Sequence, residues 1–164
     1  MTTLTAIRDL MYDSFEVHRV LIVGPLRVAR DTWPEEIRKW DHLKDLTCSV
    51  VVGSVTERRR ALQKPADLYI VNRENLVWLC KNCRLDFDMV VLDELSSFKN
   101  QQAQRFKAMK ALRPKVKRIV GLTGTPSGNG LMDLWAEFRL LDMGERLGRY
   151  ISQYRNTYFQ PDKR

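Results

Sequence analysis

Five short apolar runs constrain the fold of this 164-residue chain more than any other feature: residues 20–23, 48–52, 68–71, 89–92 and 119–122. Each is rich in β-branched residues and nearly continuous rather than alternating, the pattern of a strand covered on both faces. Helical patterns separate the runs. Leu4, Ile7 and Met11 share one face, residues 28–40 read as a second helix, and Ala103, Phe106 and Met109 recur at helical spacing. This alternation predicts an α/β fold, a mainly parallel sheet of about five strands with helices on both faces. No repeat, linker or low-complexity stretch interrupts it, so residues 1–164 are expected to form a single domain.

In such sheets ligands gather beyond the carboxyl ends of the strands. The polar residues stand there: Gly24-Pro25-Leu26-Arg27, Asn72-Arg73-Glu74-Asn75, Asp93-Glu94 and Thr123-Gly124-Thr125. Adjacent carboxylates at a strand end suit phosphate cleavage, with Asp93 holding Mg²⁺ through its waters and Glu94 polarising the attacking water as base. The same two acids would also suit a turn that caps the following helix, and Thr123 and Thr125 would suit a simple turn around Gly124 and Pro126. Arg27 and Arg30 follow the Gly24-Pro25 turn, and Asn72 and Arg73 follow a later strand; these are the candidates for contacts to a DNA backbone. No G-x-x-x-x-G-K-[ST] loop occurs, since none of the eight glycines is followed by lysine.

A net charge of +8 and a pI near 9.6 favour a polyanionic partner, because neutralising phosphates releases counterions without reading sequence. Taken singly, the clusters Arg58-Arg59-Arg60 and Lys115, Lys117, Arg118 read as solvated faces. Cys80 and Cys83 have C-x-x-C spacing, but only Cys48, His18 and His42 remain to complete a zinc site, so helix-end cysteines are expected. No apolar run approaches the roughly 20 residues of a bilayer span, and the N-terminus lacks a secretory pattern, which points to a soluble intracellular chain with no membrane partner. Trp33, Trp40 and Trp135 fit core packing better than base stacking, and Tyr150, Tyr154 and Tyr158 form a stripe suited to docking a helix.

The acidic pair and the T-G-T-P loop, in that order, resemble motifs II and III of superfamily-two helicases and translocases. Gly124-Thr125-Pro126-Ser127-Gly128-Asn129-Gly130-Leu131-Met132-Asp133-Leu134-Trp135, then Leu140-Leu141-Asp142-Met143-Gly144, is similar to the G-T-P-x-x-N-x-L-x-E-L-W…L-D-x-G block of the switch/sucrose-nonfermenting branch. Gly24-Pro25-Leu26 followed by Trp33 and Trp40 resembles motif Ia and its continuation. Lys99-Asn100 matches the K-N after the acidic box, and Lys99 joins the nucleic-acid candidates. The D-E-L-S box and the ending from Gly148 through Tyr158-Phe159-Gln160-Pro161 resemble phage-encoded members, which implies the cytoplasm of a bacterial host.

The resemblance implies a RecA-like three-layer sandwich, the first lobe of an ATP-driven DNA translocase. Asp93 and Glu94 would serve Mg²⁺-ATP, and Thr123, Gly124 and Thr125 would link nucleotide state to DNA. Two departures stand out. The family's G-x-G-K-T loop would fall just before residue 1, so its strand and the second lobe are both expected to be missing, and Ser96 replaces the histidine of many D-E-x-H boxes. The expected consequences are no ATP hydrolysis by this polypeptide alone and weak, salt-sensitive DNA binding. The edge of the 119–122 strand is expected to be open to self-association or to a polypeptide bearing the phosphate loop or second lobe. A non-catalytic helicase-like binding protein, such as a viral decoy, is the alternative.

Overall fold

The computed structural model describes residues 1–128 and 130–159, and in it the five runs form one sheet whose strands are all parallel. β1 (Val20–Gly24), β2 (Cys48–Val51), β3 (Leu68–Asn72), β4 (Met89–Asp93) and β5 (Arg118–Leu122) stand in the order β2-β3-β1-β4-β5. Every expected strand is present and differs by one residue at one end. Asn129, from the G-T-P block, and Gln160 and Pro161, from the ending, lie outside the described residues.

The continuous apolar runs reflect two cores, one on each side of the sheet. Leu21, Val23, Tyr69, Val71, Val90 and Leu92 point into the first. Their alternating neighbours Val20, Ile22, Leu68, Ile70, Met89 and Val91 point into the second. α1 (Thr2–Arg8) and α2 (Trp33–Lys39) cover the second core through Leu4, Ile7, Trp33 and Ile37. The first is covered by α3 (Val55–Gln63), α4 (Leu76–Asn82), α5 (Gln104–Leu112), α6 (Met132–Leu141) and α7 (Ile151–Tyr158). These layers are the three-layer α/β arrangement that the sequence predicts.

The expected helix over 28–40 is made in two pieces. Val28–Thr32 winds wide, and α2 begins only at Trp33, with Pro34 in its first turn. Proline has no N–H for the carbonyl one turn back, which favours a local change of winding there. α3 was not anticipated, although Ser54 and Glu57 carry its signal: Glu57 N donates to Ser54 Oγ (3.3 Å) and Ser54 N donates to Glu57 Oε2 (2.7 Å), a complete capping box. Arg58 departs from the solvated-face reading. It is 9% exposed, lies 4.1 Å above the Trp78 ring and donates to Asn75 at 2.8 Å, so one of the three arginines belongs to the fold.

The aromatic residues behave chiefly as packing groups. Trp33 and Trp135 are buried, and Trp135 Nε1 donates to the Gly148 carbonyl at 3.1 Å. Tyr154 anchors α7 by donating to the Leu131 carbonyl at 2.8 Å, whereas Tyr150 and Tyr158 are exposed. Cys80 lies on α4 and Cys83 caps it; among the described residues no cluster of three or more His, Cys, Asp or Glu side chains suits a metal. No helix among them is long and apolar enough to cross a membrane.

Ile22, fully buried at the middle of the central strand, tests this packing. Ile22→Ala is expected to lower unfolding free energy by about 2–5 kcal/mol in urea titration, through lost transfer energy and a cavity that two flanking strands keep from collapsing.

Candidate functional site

Register decides which polar tips meet. Asp93 pairs with Leu122, so Glu94 and Thr123 leave the sheet side by side, and Gly24 pairs with Asn72 on the other flank. Asp93 is half-buried, and its Oδ2 accepts a hydrogen bond from Trp33 Nε1 at 2.9 Å. A Cβ on Gly24 would stand 3.3 Å from Asp93 Cβ, so glycine lets the end of β1 lie tightly beside the carboxylate. A cavity of about 190 Å³ opens here, lined by Asp93, Trp33, Thr32, Leu122 and Leu4 among others.

Glu94 is exposed, and its backbone is left-handed, with φ 58° and ψ 59°. A non-glycine residue held there is strained, and such strain persists only where the surroundings impose it. The imposing elements are visible: the Glu94 carbonyl accepts from Ser97 N at 2.9 Å, while Leu95 and Phe98, buried at 2% and 0%, pin the turn Leu95–Phe98 to the core. The turn thus holds Glu94 exposed at the residue that follows Asp93. Thr123 is half-buried, Gly124 and Thr125 are exposed, and Thr123 Oγ1 accepts from Thr125 N at 3.3 Å, which ties the loop to itself.

The donor set fits a hydrated Mg²⁺. Magnesium keeps most of its waters and asks the protein for one or two carboxylate oxygens, and Asp93 Oδ1 stands outside the Trp33 bond. Bound there with a nucleotide, the ion would neutralise phosphate charge; Asp93 would hold its waters and Glu94 would orient a nucleophilic water. These residues would supply the metal side of such a site, and the 164 residues contain no G-x-x-x-x-G-K-[ST] loop.

The nucleic-acid candidates divide by what already holds them. Arg27 is exposed and makes no ion pair among the described residues. Arg30 is held by Asp31 through two bonds of 2.9 and 3.0 Å, and Arg73 pairs with Glu74 at 3.0 Å. Such surface pairs contribute little to stability. Asn72 is buried, with its amide donating to Glu74 and its carbonyl accepting from Asn75. Lys99 reaches Asp133 on α6 at 3.4 Å.

Two residues outside the sequence candidates stand out. Trp33 packs in the second core, and its indole also donates to Asp93. Glu137 is 2% exposed on α6, its Oε1 has no hydrogen-bond partner among the described residues, and its pKa is raised from the ordinary 4.5 to about 7, chiefly by burial and then by Asp133, with Lys99 opposing. A carboxylate inside the apolar stretch Leu134-Trp135-Ala136-Glu137-Phe138 was the available signal.

Two measurements check these assignments. The folded state prefers Glu137 protonated, so its contribution is complete below the unfolded pKa and is lost as pH rises through about 7. Glu137→Gln should therefore raise stability above neutral pH, on the order of 2–3 kcal/mol, and leave it little changed in acid. Glu94→Gly should raise the melting temperature, since glycine removes a left-handed cost of roughly 1–2 kcal/mol, even as it deletes the carboxylate.

Comparison with known proteins agrees with this fold. The family model of the SNF2-related domain matches residues 1–157. The chain is 39% identical over 166 residues to putative protein p41 of Acyrthosiphon pisum secondary endosymbiont phage 1, covering 96% of this chain and 36% of that protein. It is 30% identical over 118 residues to the Mus musculus DNA excision repair protein ERCC-6-like 2, covering 70% of this chain and 7% of that one. Among solved structures, the Sulfolobus solfataricus SWI2/SNF2 ATPase core in complex with dsDNA superposes with a TM-score of 0.80 at 28% identity, over 94% of this chain and 31% of that one. The chain thus spans little more than a third of these relatives at most. On the motifs, the sheet order and these matches, the chain belongs to the SNF2-related domain family, within the SWI/SNF-type helicase superfamily.

Proposed function

We propose that residues 1–164 form part of the first lobe of an ATP-dependent translocase acting on duplex DNA. The observation that carries the reading is the pair at the end of β4: Asp93 fixed by Trp33, and Glu94 turned outward on a strained backbone beside Thr123. Strain of this kind is retained where chemistry needs the side chain aimed. In this reading Asp93 holds Mg²⁺ through its waters, Glu94 orients the attacking water, and Thr123, Gly124 and Thr125 relay nucleotide state. The SWI2/SNF2 relative whose structure was solved with dsDNA supports a DNA partner, with Arg27 the readiest phosphate contact and Arg30 and Arg73 joining once their carboxylates let go.

Hydrolysis needs more than these residues provide. Backbone amides and a lysine of a phosphate loop supply much of the charge stabilisation around the β- and γ-phosphates, and an arginine from a second lobe is worth roughly 10³–10⁵ in rate. β5 stands at the end of the sheet and is only half-covered, unlike the buried β1, β3 and β4. Its outer edge, unpaired among the described residues, suits a further strand, from a polypeptide carrying the phosphate loop or from a second copy.

One pair of assays on the purified 164-residue chain tests the reading. No Mg²⁺-dependent ATP turnover is expected. Duplex DNA should bind without sequence preference, weakening steeply with salt, and Arg27→Ala should reduce the log–log salt slope by about one. Robust turnover, or no DNA binding even near 50 mM salt, would overturn it.

A further inference from the structure

α4 and α5 lie side by side over the first core, and the seam between them is an open groove of about 310 Å³. Its floor is apolar: Val77 and Cys80 from α4, Leu85 from the loop beyond, and Ala108 and Leu112 from α5. Partial burial pushes the Cys80 thiol up to about 11, in keeping with its apolar surroundings. Lys81, Lys107 and Lys115 rim the groove; all three are exposed, none makes an ion pair among the described residues, and no carboxylate lines it. Beyond Leu85 the lining continues into a second cleft that carries Arg59 and Arg84, likewise without ion pairs.

This surface is separate from the candidate site. α4 and α5 each run from the carboxyl end of one strand back toward the amino end of the next, and Leu85 and Lys115 lie at that amino end, opposite Asp93 and Glu94. The groove is also unlike a nucleic-acid channel. No aromatic ring lines it for a base to stack on, and its floor offers a phosphate no donors. Ala108 and Ala111 keep one wall low, so a third helix can approach the seam closely.

We infer that the α4–α5 groove is a docking site for an acidic amphipathic helix of a partner protein, whose apolar face fills the seam while its carboxylates meet Lys81, Lys107 and Lys115. Helix-in-groove recognition combines these two elements, apolar anchors at helical spacing and a charged rim that sets orientation and partner choice.

The test uses a fluorescent synthetic helix with leucine on one face and glutamate on the other, a second peptide of the same charge with serine for leucine, and a DNA duplex. Fluorescence anisotropy should show the leucine peptide binding the full chain at least about tenfold more tightly than the serine peptide. Lys107→Glu and Ala108→Trp should each weaken it by about tenfold or more, with melting curves reporting that the fold is kept. Should Ala108→Trp unfold the chain, Ala111→Trp, at an exposed position, takes its place. Equal binding of the serine peptide would overturn the inference, as would indifference to the tryptophan variant. So would displacement of the peptide by duplex DNA whose own binding Lys107→Glu abolishes, because the occupant would then be nucleic acid.

Discussion

The parallel register of β1 against β3 and β4 is the constraint on which the rest of the molecule depends. β1 is buried along its whole length, and its hydrogen bonds to both neighbours align three strand ends at one level. Gly24, Asn72 and Asp93 follow from that alignment. A slip of one residue in any of these strands would exchange the two cores, placing Leu21 and Val23 where Val20 and Ile22 now pack, and carry Asp93 away from Trp33. Because both faces are apolar, composition alone does not forbid such a slip; the shapes of the helical layers do.

Much of this was legible in the chain. The strands could be read to within a residue because parallel strands covered on both sides must be apolar throughout, and short β-branched runs have few other uses. The acidic pair and the T-G-T-P loop were legible for a different reason: they are polar residues placed where an apolar strand stops. Less legible was anything that depends on tertiary partners. α3 carries so many charged residues that its apolar face is hard to see, and only the cap at Ser54 and Glu57 announces it. The burial of Arg58 needs Trp78, twenty residues on, and the engagement of Lys99 needs Asp133, thirty-four residues on. No local pattern encodes those meetings.

The same distance effect separates the nucleic-acid candidates. All of them follow strand ends or the acidic box, yet Asn72 is committed to its own turn while Arg27 makes no ion pair among the described residues. Position in the topology brings a side chain near a ligand; its neighbours decide whether any polar atom is left over. The cations along the α4–α5 seam illustrate the converse, since nothing in their sequence surroundings marks them as a group and only the packing of two helices gathers them over one apolar floor.

The bond between Trp33 and Asp93 has an optical corollary. An indole whose N–H donates to a carboxylate emits according to that carboxylate's electrostatic surroundings, so a cation at the strand tip would change intrinsic emission without any attached dye. Of the four tryptophans, Trp78 is stacked under a guanidinium and Trp135 is bound to a backbone carbonyl, while Trp40 donates to Glu36, which leaves Trp33 as the one chromophore wired directly to the acidic box.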